Sequence, residues 1–370
     1  MIEKLGISLL ATDTDAVAPV VVDLFCGAGG LAYGLKAAGL KVVAGIDLDP
    51  SCKFPLEKNT GATFVEKDVK ELSPEELRTW FGEASVRILA GCAPCQPFST
   101  YSQGRKSKDD RWTLLREFKR LAVATLPEIV TMENVPGLAS QSVWEEFISA
   151  LRAAGYNVCW QKVDCSAYEI PQRRRRLVLL ASRLGSIELI PAQKGTAKTV
   201  AETIGNLPAI KAGEACPDDP LHAAASLSPK NVRRMKASKP GGTWRDWPKA
   251  LRAKCHVKKS GKTYPSVYGR MEWNKPSPTM TTQCYGFGNG RFGHPEQDRA
   301  ISLREAALLQ SFPPDYAFLE EKEAVSFSRL GILIGNAVPP KLGEVIGRSI
   351  FIHLEQVRSG EVPKGQLSLL

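Results

Sequence analysis

Thiols, a carboxylate and arginines recur at spacings that would suit chemistry on a heterocycle. Residues 86–90 form a β-branched run that ends in Gly91-Cys92-Ala93-Pro94-Cys95-Gln96-Pro97-Phe98-Ser99. Residues 128–132 lead in the same way into Glu133-Asn134-Val135-Pro136, and a later pair of runs brackets Gln172-Arg173-Arg174-Arg175-Arg176. The Cys92-x-x-Cys95 spacing admits three chemistries: a redox pair, half of a zinc site, or one nucleophile with Cys92 as a small packed residue. The zinc reading lacks a second pair, and His222, His256, His294 and His353 are too dispersed to supply one, so no metal is expected. If these runs are strands of one open sheet, the thiols, Glu133 and the arginines share its carboxyl edge, where such sheets bind ligands. A thiol, an acid and arginines converging there describe covalent activation of a heterocycle. A solvent-facing acid and a surface basic run would not explain why all three fall at one edge.

A cofactor cradle precedes them. Residues 20–25 run into Gly27-Ala28-Gly29-Gly30-Leu31-Ala32, which fits G-x-G-x-x-G/A ahead of a helical stretch. Asp47 ends the next strand, and 47 minus 27 is 20, the spacing at which a carboxylate meets a ribose diol. Asp68, after the strand-like residues 63–65, would reach the base of the same ligand. These residues alone do not separate a dinucleotide from another adenosine-bearing cofactor.

The elements that must position these groups alternate from residue 19 to about 182. Strands are expected at 20–25, 41–46, 86–90, 128–132, 158–163 and 177–182, with helices at 30–38, 114–124 and 142–154. This is the pattern of βαβ units around a mostly parallel, doubly wound α/β sheet. After Arg183 prolines at 191, 208, 217, 220, 229, 240, 248 and 265 interrupt any long element, which predicts a smaller, irregular second domain. Helical periodicity returns at 302–310 and 341–356. The expected division is 1–183 plus 329–370 as the catalytic body, 184–302 as the second domain and 303–328 as the connection.

Composition narrows the function classes. The 370 residues are 43% hydrophobic and 24% charged, which excludes a disordered or fibrous chain. No run reaches the ~18 apolar residues of a spanning helix, and the first twenty residues lack a secretory pattern. Nine cysteines, an odd number, argue for reduced thiols in a cytosol. The net charge is 49 minus 39, or +10, and residues 184–302 hold 19 Lys/Arg against 9 Asp/Glu, so that segment carries all of it. Residues 230–262 hold 12 basic residues and one acid, Asp246, with Trp244, Trp247, Tyr264 and Tyr268 interleaved or adjacent. A segregated basic field with aromatics suits a polyanion better than a solvated loop does.

Five ordered motifs make the reading specific. Asp23-Leu24-Phe25-Cys26-Gly27-Ala28-Gly29-Gly30, Pro94-Cys95-Gln96, Glu133-Asn134-Val135, Gln172-x-Arg174-x-Arg176 and Gly335-Asn336-Ala337-Val338 together resemble the signature set of the DNA (cytosine-5) methyltransferases of prokaryotic restriction-modification type. Residues 299–313 resemble the family's helix that props the small domain, and the resemblance spans about 20–353. It implies S-adenosylmethionine as cofactor, with S-adenosylhomocysteine as product. Phe25 would lie against the adenine, Gly27, Gly29 and Gly30 along the methionine, Asp47 on the ribose and Asp68 on the base, with Leu114 and Asn336 closing the pocket. It implies that 184–302 is the target-recognition domain. Thr279-Met280 stands where the family has Thr-Leu.

The resemblance also implies the reaction. Cytosine C5 is a poor nucleophile, and attack of Cys95 on C6 would make it carbanion-like. Glu133 would hydrogen-bond N3 and Arg176 would hold O2. Arg174 and Arg176 are the expected cationic field for the Cys95 thiolate. The base must leave the duplex to be reached, and residues 96–111, with Gly104, Arg105, Lys106, Lys108 and Arg111, are expected to be a lid. Gln96, Ser99, Arg105, Arg233, Arg234, Arg245, Arg252, Arg270, Thr279 and Arg291 are the candidate DNA contacts. The expected partner is double-stranded DNA, with a separate cognate restriction endonuclease by analogy, no membrane, a monomeric state and a cytoplasmic, nucleoid-associated location. Rival readings are an RNA cytosine methyltransferase, an oxidoreductase with a Cys92/Cys95 pair, and an inactive DNA-binding module.

Overall fold

A computed structural model describes residues 18–94, 112–192, 195, 197–258 and 260–361. The expectations for Cys95, Gln96, Ser99, Arg105 and the lid at 96–111 therefore lie outside the described residues.

Seven strands form one sheet: β1 (Val20–Leu24), β2 (Lys41–Asp47), β3 (Thr63–Glu66), β4 (Arg87–Gly91), β5 (Ile129–Asn134), β6 (Asn157–Asp164) and β7 (Arg175–Ser182). Their order is β3-β2-β1-β4-β5-β7-β6. The first five are mutually parallel, joined through α1 (Gly30–Ala37), α2 (Lys53–Thr60), α3 (Pro74–Phe81) and α4 (Thr113–Thr125), while α5 (Ser142–Ala153) leads to β6. All five residues of β1 are buried, which is why the strand reads as an unbroken apolar run save for Asp23. Val20, Val22 and Leu24 face a core with Phe118, Trp144 and Phe147, and Val21 faces another with Leu31, Leu35, Leu342 and Ile346.

β7 runs antiparallel to both β5 and β6. The βαβ rhythm does not predict this reversal. Its cause is chain length: residues 165–174 are too few for the crossover of a dozen or more residues that a parallel return requires. The reversal brings the start of β7, with Arg176, to the edge where β5 ends in Glu133 and Asn134.

Several helices also escape the periodicity. α3 is announced instead by its start, where Ser73 accepts from the Glu76 N–H and Pro74 takes the first helical position. Pro229 likewise begins α7 (Pro229–Ala237), capped by Ser228, instead of interrupting it. Around it lie α6 (Val200–Ile204), β8 (Ala215–Cys216), β9 (Asp219–Ala223) and α8 (Lys254–Val257).

The chain returns through α9 (Leu303–Leu309), α10 (Phe327–Asn336) and α11 (Pro340–Ser359). α9 is fixed by a fully buried pair, with Arg299 Nη1 and Nη2 each 2.7 Å from the Glu305 carboxylate. Burial pushes His294, 3.7 Å from Glu305, down to about 4. A buried amide relay joins the parts: Gln172 donates to Leu309 O at 3.1 Å and accepts from Met280 N–H at 2.9 Å, while Gln310 donates to Ile334 O and Ala337 O. α11 lies against α1 so closely that a Cβ on Gly30 would stand 2.2 Å from Val338 O, and one on Gly34 2.2 Å from Pro340 O. Ile187, Leu189, Val200 and Ile204 sink into the same core as α1 and α11, whereas Met235, Trp244, Trp247, Phe287 and Ala300 form a small core of their own.

Candidate active site

The cradle begins where β1 stops. Phe25 and Gly27 turn the chain with φ of 59° and 52°, and a Cβ on Gly27 would meet nothing within 4 Å. Gly27 is therefore the glycine open to a ligand. Gly29 is backed by Leu56 and Tyr316 at 3.1 Å, and Gly30 gives its space to Val338 O. Gly30 is thus required by packing, whatever its backbone does toward a cofactor.

Asp47 accepts from the Gly27 N–H at 2.9 Å and the Asp49 N–H at 3.1 Å, which leaves each carboxylate oxygen a second lone pair. Asp68 is half-buried and accepts from the Lys70 N–H at 3.0 Å. Leu114 lies half-buried in the first turn of α4. Asn336 is exposed at the end of α10, two residues before the Val338 carbonyl that meets Gly30.

Two contributors were not singled out from sequence. Leu48, beside Asp47, is 64% exposed, an apolar surface suited to a base. Asp23 is 1% exposed and its Oδ2 has no partner; burial, and next the charge of Asp47, push its carboxyl up to about 8. Asp47 and Asp68 make the cradle acidic. That suits a cationic adenosyl cofactor, such as a sulfonium, and opposes the diphosphate of a dinucleotide.

The reacting groups converge on the neighbouring strand ends. The Cys92 N–H donates to Leu24 O at 3.3 Å and so extends the β1–β4 ladder by one residue. Gly91 admits this register, since its Cβ would stand 2.7 Å from Leu24 O. Asn134 Nδ2 donates to Ala93 O at 3.0 Å, tying β5 to the segment that leads to Cys95. Glu133, 2% exposed, accepts from the Cys92 thiol through Oε2 at 3.0 Å. Arg176 Nε lies 2.6 Å from Oε1, an ion pair by distance, but its N–H is not aimed at that oxygen, and Oε1 has no directed donor.

Arg174 lies within reach of the charges of Arg176 and Glu133 but makes its hydrogen bonds to the returning chain. It is 3% exposed, and its guanidinium donates to Met280 O at 2.9 Å and to Gly335 O and Ala337 O, both at 3.2 Å. These bonds clamp the chain return against the sheet, while its Nε has no hydrogen-bond partner; its expected role beside Cys95 concerns a residue outside the described ones. Burial, and next Arg176, lower its proton affinity.

The second segment separates the basic residues by what they bond. Arg270, 4% exposed, donates to Met235 O, Ser238 O, His294 O and Gln297 O and pairs with Asp298. Arg234 is buried, bonded to Leu251 O at 2.8 Å and placed over the Trp247 and Tyr268 rings. Arg291 holds Gly242 O at 2.7 Å, and Arg252 holds Arg245 O at 2.6 Å. The expectation that Arg270 touches DNA is corrected because all its guanidinium nitrogens are bonded inside the fold, and that for Arg234 because it is buried against the two rings and bonded through Nε and Nη1. Trp244 and Trp247, 4% and 2% exposed, are core residues and not stacking platforms. Arg233, Arg245 and Thr279 are exposed, as are Lys230, Lys236 and Lys249.

Among the described residues, no helix is long and apolar enough to cross a membrane. Residues 20–352 match the model of the C-5 cytosine-specific DNA methylase family. The chain is 49% identical over 340 residues to the type II methylase M.HgiDII of Herpetosiphon aurantiacus, covering 90% of this chain and 96% of that one. It is 32% identical to the type II methyltransferase M.Eco47II of Escherichia coli, over 90% of this chain and 79% of the other. A crystal structure of a DNA modification methyltransferase encoded within an E. coli prophage shares the fold, with a TM-score of 0.71 at 22% identity over 91% of this chain and 100% of that one. The match of nearly the whole chain, on the fold whose strand ends gather Glu133, Arg176 and the route to Cys95, places the protein in the C-5 cytosine-specific DNA methylase family, as a DNA (cytosine-5-)-methyltransferase.

Proposed function

We propose that the chain uses S-adenosylmethionine to methylate C5 of a cytosine flipped out of a specific duplex sequence, through a covalent bond from Cys95 to C6. The observation that carries this reading is Glu133: a buried carboxylate fixed through Oε2, with Oε1 left without a directed donor beside Arg176. A buried polar atom of that kind asks for a partner: the N4 amino group on a cytosine's N3 edge can donate to it, and a protonated Oε1 can donate to N3.

S-adenosylmethionine, when bound, supplies the methyl group. Gly27 leaves room for its methionine part, Asp47 offers lone pairs to the ribose, and Phe25, Leu48 and Asp68 flank the base. Cys95, next after Pro94, adds to C6 and moves ring electrons toward C5. Glu133, in its protonated form, donates from Oε1 to N3 as charge builds there, and Arg176 stands by O2. Loss of the C5 proton to a base then expels Cys95.

The exposed cations Arg233, Arg245, Lys230, Lys236 and Lys249 contact the DNA backbone and bases, within a recognition segment at 184–302. A monomer acts on one strand at a time, alongside a separate endonuclease reading the same site.

The test is transfer of labelled methyl from S-adenosylmethionine to duplex DNA and, in parallel, to tRNA, with wild type and Cys95→Ser. Label in DNA that vanishes in the variant is the expected result. Label in tRNA alone, or equal labelling by Cys95→Ser, overturns the proposal.

A further inference from the structure

We infer that Cys92 is a positioning residue for the methyl transfer: its thiol pins Glu133 Oε2, so that Oε1 is the oxygen presented to the target base. The inference rests on the proposed role of Glu133. It concerns a second cysteine, three residues before Cys95, with a task unlike the attack on C6.

The geometry has four parts. Cys92 Sγ lies 3.0 Å from Glu133 Oε2, and an S–H facing a carboxylate can only donate. The cysteine cannot drift, because its own N–H is held by Leu24 O at 3.3 Å and the next residue's carbonyl by Asn134 at 3.0 Å. The side chain packs against the core beneath the sheet while remaining half-buried. On the far side of the carboxylate, Arg176 reaches Oε1 without aiming its N–H there. Glu133 is thus held by the Arg176 charge at Oε1 and by one directed hydrogen bond, which the thiol donates to Oε2.

The other ionisable neighbours, Arg174 and the buried Cys165, act on Glu133 through charge and not through a hydrogen bond: Arg174 Nη1 and Nη2 donate to Met280 O, Gly335 O and Ala337 O. Without the thiol, the carboxylate would lose its directed hydrogen bond and be held by the Arg176 charge alone, which fixes its distance better than its orientation. A general acid or hydrogen-bonding group so loosened loses rate, not ground-state affinity, because most of the binding comes from distant contacts to cofactor and phosphates. A serine hydroxyl at the same position donates as the thiol does and restores the pin.

The experiment measures kcat and KM for labelled methyl transfer to duplex DNA in wild type, Cys92→Ala, Cys92→Val and Cys92→Ser. Both non-donor variants should lose about tenfold in kcat, the size of one hydrogen bond, with KM for S-adenosylmethionine and DNA within about twofold. Cys92→Ser should recover to within about threefold of wild type. Valine preserves packing where alanine opens a cavity, so a folding defect in one leaves the other informative. In a Glu133→Gln background, Cys92→Val should add no further loss. The inference is overturned if both non-donor variants keep wild-type kcat, if Cys92→Ser is as impaired as they are, or if the loss persists undiminished beside Glu133→Gln. Absence of any transfer by the wild type would overturn the proposed function itself, whereas transfer with an indifferent Cys92 would overturn this inference alone.

Discussion

Asn134 donates to the Ala93 carbonyl at 3.0 Å, while Glu133, its neighbour in β5, accepts from the Cys92 thiol at 3.0 Å. Successive residues of a strand point to opposite faces. One strand end therefore grips the segment leading to Cys95 twice, through a neutral amide and through the acid. The separation of Glu133 from Cys92 and Ala93 is thereby fixed where β4 and β5 end side by side.

Glu133→Gln keeps the shape of that end and removes the acid. Methyl transfer should fall on the order of 10²–10⁴-fold with DNA affinity nearly unchanged. Single-turnover transfer and a parallel binding titration check this, and a rate within threefold of wild type would contradict it.

Gly27 and Gly30 should fail in different ways. Gly30→Ala drives a methyl to 2.2 Å from the Val338 carbonyl and should cost about 1–3 kcal/mol of stability or more. Gly27→Ala meets open space, so its folding cost is limited to about 1–2 kcal/mol for a φ of 52°, while the methyl occupies the cofactor's approach. Thermal unfolding and S-adenosylmethionine binding, measured on both, should rank the variants in opposite orders.

Asp23 gives the protein a pH signature. Its ordinary value is 3.8, and burial raises it to about 8 in the fold. Between those values the folded chain holds a proton that the unfolded chain has released. This group therefore costs stability increasingly as pH rises from about 4 to about 8, and by a constant amount above that. Asp23→Asn removes the titration, so its stability relative to wild type should climb by several kcal/mol across the window and then level off. Urea unfolding at a series of pH values reads the difference, and a flat difference would count against the buried, protonated carboxyl.

Arg233 and Arg270 separate binding from folding. Arg233→Ala should fold as wild type, weaken DNA binding and reduce the slope of log K against log salt by about one. Arg270→Ala leaves Asp298 without its partner and four carbonyls without their donor, and should lower stability by about 3–5 kcal/mol. Circular dichroism melts and salt-dependent binding distinguish the two.

The sheet was legible where chemistry and periodicity coincide. Residues 20–24, 41–47, 87–91 and 129–134 form strands within a residue or two of expectation, because both faces of each are covered and the apolar run shows it. The reversal of β7 was not legible from composition, since it follows from the shortness of 165–174. In the site, Glu133 and Arg176 meet as their motifs suggested. Arg174, two residues from Arg176, turns into the protein, and alternation along an unformed strand start could not reveal that. The arginines of residues 230–291 look alike in sequence. Only their carbonyl partners divide those that hold the fold from those left facing outward. The hydrogen bond from Cys92 to Glu133 joins residues 41 apart and has no local signal.

The contact of α1 with α11 carries a further consequence. A body whose first and last helices touch through Gly30, Gly34, Val338 and Pro340 is closed whatever lies between β7 and α9. The segment between them is then a bight of chain held at both ends, and lengthening such a bight costs only logarithmically in chain entropy. Sequence there can be exchanged or extended while the sheet and its strand ends stay on a frame already closed.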